Sequence, residues 1–174
     1  MDIEEDIRLI NEVWGSEDNL HEFIDSELRR LGAIICGEAA KLPNFQVQPT
    51  EMASEIMGFS IGRSCAGRYE PDNGQCGTIS LFAFTCTSES EVRTALAHEL
   101  VHHWEVTNSS NTSDLPYPKE ADTVIKSIFP DPNKEGRWRS GHSEAFVTKA
   151  SVVAKVLGIP LEDFLVYRKR TTVK

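Results

Sequence analysis

Apolar residues recur at helical spacing near both ends of the chain and lose that spacing in between. Ile3, Ile7, Ile10 and Trp14 share one face of a first helix, which Gly15 interrupts. A second run begins at Ser16 and places Leu20, Phe23, Ile24, Leu28 and Leu31 on one face. It is expected to continue past Gly32 to about Ala40, where Pro43 stops it. Phe45-Gln46-Val47-Gln48 then alternates with period two, as a strand does. Residues 61–69 and 77–84 flank Pro71-Asp72-Asn73-Gly74, and Asn-Gly is a strong hairpin signal. The middle of the chain is therefore expected to form a small antiparallel sheet.

Helical periodicity returns after Thr87. Ser88-Glu89-Ser90-Glu91 has the form of a capping box, and the helix it opens carries Val92, Leu96, Leu100 and Trp104, widened by Ala97 and Val101. Thr107 to Asp114 is polar; Ala121, Val124, Ile125, Ile128 and Phe129 then fall at helical spacing before Pro130 and Pro132. A last helix carries Phe146, Ala150, Val153 and Leu157, with Gly158 as its C-terminal stop and Pro160 beyond. Helices, strands, helix, long loop and helix make an α+β order, unlike regular βαβ winding. With 174 residues the chain fits one domain. Within it, 1–44 is a helical scaffold, 45–104 the sheet and active-site helix, 105–141 an insertion, and 142–174 the C-terminal helix region. The polar stretch 107–114 is a candidate lid beside a short helix, or a plain surface excursion.

The helix after Ser88 contains His98-Glu99-Leu100-Val101-His102, an H-E-x-x-H sequence on the half turned away from the apolar stripe. Imidazoles four residues apart project from adjacent turns and can hold one zinc ion. The glutamate between them is rotated off the ligand line and reaches a water instead of the metal. Zinc would acidify that water and polarise a carbonyl, while Glu99 takes the proton and passes it to the leaving amine. His103 is turned about 100° from His102 toward the apolar stripe and reads as a packing residue. His21 reads as structural. A catalytic zinc needs a third protein ligand. The reading favours His142, at the entrance of the last helix, with Glu120 or Glu144 as carboxylate alternatives.

Composition narrows the setting. The 18 basic and 27 acidic residues give a net charge of −9, which disfavours a broad nucleic-acid-binding surface. Arg137 with Arg139, and Arg168-Lys169-Arg170, are the remaining basic clusters, and both read as solvated. No apolar run has the length of a membrane span, and the acidic start differs from a secretory signal, so an intracellular protein is expected. Four cysteines, Cys36, Cys65, Cys76 and Cys86, include no C-x-x-C pair and are expected as free thiols.

Ala66-Gly67-Arg68-Tyr69, Gly77-Thr78-Ile79-Ser80-Leu81, the run from Ser88 into His102, and Gly141-His142-Ser143-Glu144-Ala145-Phe146 together resemble the SprT-like metallopeptidase domain. The resemblance covers about residues 61–158 and implies a zincin-like fold. It also implies one catalytic zinc held by His98, His102 and His142, Glu99 as acid/base, and an intracellular endopeptidase acting on protein or peptide. The best-known branch acts on proteins crosslinked to DNA. This chain departs from the family in the 40 positions between His102 and His142 and in lacking a cysteine-rich zinc ribbon after the domain. With the acidic charge, these departures argue against carrying over DNA association. Two alternatives stay open: a gluzincin-type peptidase with Glu120 as third ligand, and a non-catalytic, zinc-stabilised binding or regulatory module.

Overall fold

The computed structural model describes residues 3–57, 66–72, 76–108, 119–128 and 142–165. The elements are α1 (Ile3–Trp14), α2 (Glu17–Cys36), β1 (Asn44–Gln48), α3 (Thr50–Met57), β2 (Gly67–Glu70) and β3 (Thr78–Phe82), followed by a 3₁₀ turn. Then come α4 (Glu89–Thr107), α5 (Lys119–Ile128), α6 (Glu144–Leu157) and α7 (Leu161–Leu165). The architecture is α+β, with seven helices and one small sheet among the described residues. No helix among these residues is long and apolar enough to cross a membrane.

The sheet has the order β1-β3-β2 and is mixed. β2 and β3 pair antiparallel, as the hairpin signal predicts, whereas β1 runs parallel to β3, with Phe45 opposite Ile79. This corrects the expectation of an antiparallel sheet. Period-two alternation reports which face a side chain takes but not the direction of its neighbour, and the β1-to-β3 connection, containing α3, is long enough for a parallel crossover. The Asn73-Gly74 turn itself lies outside the described residues.

Helix α2 ends at Cys36, several residues before the proline, where Gly37 turns the chain out of helix and donates its N–H to the Ala33 carbonyl. Two short helices, α3 and α7, escaped the periodicity. Thr50 opens α3 because the buried Asp6 of α1 accepts from its backbone N–H at 2.8 Å, so this helix is capped by a carboxylate 44 positions earlier.

Helix α4 runs through the core. Its Ser88 cap accepts from the Glu91 N–H at 3.2 Å, while the Glu91 carboxylate binds the Thr87 hydroxyl. Val92, Leu96, Leu100 and Val101 are buried, but so are Ala95, Glu99 and His103 on other sides. Thus α4 is enclosed nearly all round, where the sequence suggested an apolar half and an open half. Leu20, Ile24, Leu28, Leu31 and Ile35 of α2 are also buried, as are Ile79 and Leu81 of β3 and Phe146, Ala150 and Val153 of α6. These faces meet α4 in one core.

A charged clasp joins α2 to α4. Glu27, 8% exposed, binds Arg30 at 2.7 Å and Arg93 at 2.9 Å. Burial raises its pKa, but hydrogen bonds and charge from both guanidiniums more than offset this, leaving it below 4.5. Because the folded-state pKa is depressed, the stabilisation is present above about pH 4.5 and is lost as pH falls through the lowered value. Glu27→Gln is expected to cost about 2 kcal/mol at pH 7, a value discounted for the partly exposed guanidiniums. Urea unfolding should show this difference shrinking toward zero at pH 3.

Candidate metal centre

Two elements far apart in sequence bring three imidazoles together. His98 and His102 stand on adjacent turns of α4, with ring centroids 5.1 Å apart. His142 immediately precedes Ser143, the N-cap of α6, whose hydroxyl accepts from the Phe146 N–H at 3.1 Å. The same hydroxyl donates to the Glu105 carboxylate, which ties the start of α6 to α4. His142 thereby lies with its ring centroid 4.9 Å from that of His98 and 5.1 Å from that of His102. One ring nitrogen from each histidine falls within 4.8 Å of the other two. These three are close enough to bind one metal ion.

A hydrogen bond fixes which nitrogen of His98 faces inward. His98 Nδ1 lies 2.7 Å from the Phe164 carbonyl oxygen of α7. A carbonyl only accepts, so Nδ1 carries the proton and Nε2 keeps a lone pair. That Nε2 is 3.1 Å from Nε2 of His142. Two ligand nitrogens about 2.0–2.1 Å from a tetrahedral zinc stand about 3.3–3.4 Å apart, so the observed spacing suits a shared ion after a small adjustment.

Apolar walls keep the cluster neutral. The Phe146 ring lies 4.2 Å from both His102 and His142 and 5.0 Å from His98, centroid to centroid. Burial drives the His98 pKa down to about 4, and the hydrogen bond to Phe164 only partly counters it. Burial, then repulsion from His98, takes His102 to about 3. Burial, then repulsion from His98 and His102, takes His142 to about 2. Neutral imidazoles with inward lone pairs are the form in which histidine binds metal.

Glu99 lies against the sheet and outside the metal-ligand group. It is 4% exposed, and burial raises its pKa to about 8, against the lowering effect of a hydrogen bond from the Tyr69 backbone N–H. Gly67 makes this approach possible, since a Cβ there would sit 3.1 Å from Glu99 Cγ and 3.0 Å from the Ser80 carbonyl oxygen.

The other candidates sort as follows. His103 is buried and bonded to Tyr69 and Lys41. His21, on α2, makes an edge contact with Phe45 of β1 and is not in the three-histidine group. Glu144 is exposed in the first turn of α6. Cys36, Cys76 and Cys86 are free, and burial raises the thiols of Cys36 and Cys86 to about 11 and 12. The Glu120 side chain, Cys65, most of the suggested lid, Arg137, Arg139 and residues 168–170 lie outside the described residues. Sequence reading missed the Phe164 carbonyl, the Tyr69 N–H and the wall formed by Phe146. Of these, only Phe146, four residues after His142 at a helix start, left a usable signal.

Two measurements check the centre. His142→Ala is expected to weaken binding of a divalent transition ion at least 100-fold while far-ultraviolet dichroism is retained. At pH 6 the three imidazoles stand above their lowered pKa values and carry no proton that binding must displace. Calorimetry of Glu99→Gln in two buffers of different ionisation enthalpy should therefore register well under one proton released per ion bound.

Compared with protein-family models, with curated proteins and with solved structures, this chain gives no match.

Proposed function

We propose that this chain is a zinc-dependent endopeptidase of the SprT-like, zincin-like kind, acting on protein or peptide substrates. The observation that carries the proposal is the convergence of His142 on His98 and His102 beside the buried carboxyl of Glu99. Three neutral imidazoles suit zinc far better than magnesium or calcium, which prefer oxygen ligands. Zinc held there supplies a Lewis acid that polarises a carbonyl and acidifies a water.

The remaining chemistry belongs to the chain. Glu99, one residue from a ligand yet outside the ligand group, is placed to take a proton and return it to the leaving amine. The Phe146 ring and the Phe164 carbonyl keep His98 oriented and shield the cluster from water. A net charge of −9 gives no reason to add DNA to the substrate description.

A gluzincin-type site with Glu120 is less favoured because His142 already meets the other two histidines. A structural zinc module would have no use for a buried general base. The test is cleavage of an unfolded protein by the zinc-loaded chain. Glu99→Gln is expected to retain one equivalent of zinc and to lose about 10²–10⁴-fold in turnover. Undiminished cleavage by that variant would overturn the mechanism, and zinc binding without any cleavage by the wild type would favour the structural module.

A further inference from the structure

Tyr69 is held at two points by consecutive turns of α4. At its side chain, His103 sets the direction of the bond. His103 Nε2 lies 2.9 Å from the Lys41 carbonyl oxygen, which can only accept, so the ring proton resides on Nε2. Nδ1 therefore accepts, and the Tyr69 hydroxyl donates to it at 3.0 Å. The two rings meet edge to face with centroids 5.4 Å apart. Gly77, at φ +66°, closes over the tyrosine; a Cβ there would lie 2.5 Å from Tyr69 Cε2 and 2.6 Å from its hydroxyl oxygen.

At its backbone, the phase of the β2–β3 ladder decides where the Tyr69 N–H points. Phe82 N donates to the Ala66 carbonyl at 3.4 Å, so Ala66, Arg68 and Glu70 are the positions that exchange hydrogen bonds with β3. Tyr69, opposite Ile79, directs its N–H away from β3, and that N–H meets the Glu99 carboxyl. Glu99 and His103 are four residues apart on α4, so one tyrosine joins both. A carboxyl that accepts from this N–H depends on its placement, which the ladder directs and the tyrosine side chain, anchored on His103, helps to hold.

We propose that Tyr69 and His103 are positioning residues that hold the Glu99 carboxyl in one orientation against β2. The inference rests on the reading of Glu99 as the proton carrier. It assigns His103, set aside above as no ligand, a task in the same site, carried out through Tyr69.

Tyr69→Phe keeps the ring and removes the donor. In the zinc-loaded protein it is expected to lower kcat roughly five- to tenfold, the worth of one net hydrogen bond, with KM and zinc content unchanged. His103→Leu should do the same. In a Glu99→Gln background, Tyr69→Phe should alter the residual rate less than twofold, because the group it orients is gone. Independently of activity, the position-69 amide of the metal-free protein should exchange with solvent roughly fivefold or more faster in Glu99→Ala and in Tyr69→Phe than in the wild type. An unchanged kcat in both Tyr69→Phe and His103→Leu, with Glu99→Gln inactive, would overturn the positioning role alone. Unchanged amide exchange in Glu99→Ala would overturn it too. Full cleavage by Glu99→Gln would instead overturn the peptidase reading beneath it. Should Tyr69→Phe fail to fold, His103→Leu carries both the kinetic and the exchange arms.

Discussion

His142 and Glu99 are buried, and His98 and His102 half-buried, around a single helix, and the rest of the fold is arranged about that burial. Isolated polar groups in a core cost several kcal/mol unless their hydrogen bonds or ligands are supplied. Here His98 and Glu99 are supplied from elements outside α4. α7 gives a carbonyl to His98, α6 delivers His142 and the Phe146 wall, and β2 gives an N–H to Glu99. The lowered pKa values of the histidines and the raised one of Glu99 share a cause: burial that disfavours charge of either sign.

This explains why α4 is enclosed nearly all round. A surface helix could display His98 and His102 to solvent, but it could not lower their pKa values by burial or hold a third imidazole beside them. The scaffold helices serve that enclosure: α2 covers one side of α4 with five buried aliphatic residues and is locked to it by the Glu27 clasp. At Gly67 the sheet itself must lack a side chain for Glu99 to fit. Proximity of the three imidazoles and the Glu99 carboxyl thus follows from ordinary packing rules applied to an unusually polar core helix.

Much of this was legible in the sequence where the signal was local. The Ser88 cap, the i and i+4 histidines, the β2–β3 pairing and the α6 start follow from spacing within a few residues. His142 could be suggested because it stands at a helix entrance, but its distance from His98 depends on how α4 and α6 cross, which no local pattern encodes. The parallel β1 was misread because alternation carries no direction. The Phe164 carbonyl and Tyr69 N–H left no trace at all, since every residue of either type has the same backbone groups. His103 stands outside the three-histidine group, on a different side of the helix. Its link to Tyr69, 34 positions earlier, is purely tertiary.

In the proposed function one zinc ion is held by His98, His102 and His142. X-ray absorption at the zinc edge, on protein carrying one equivalent, tests it directly. Three imidazole nitrogens at about 2.0–2.1 Å, falling to two in His142→Ala, is the expected result. A first shell containing thiolate sulfur, or one unchanged by His142→Ala, would contradict it.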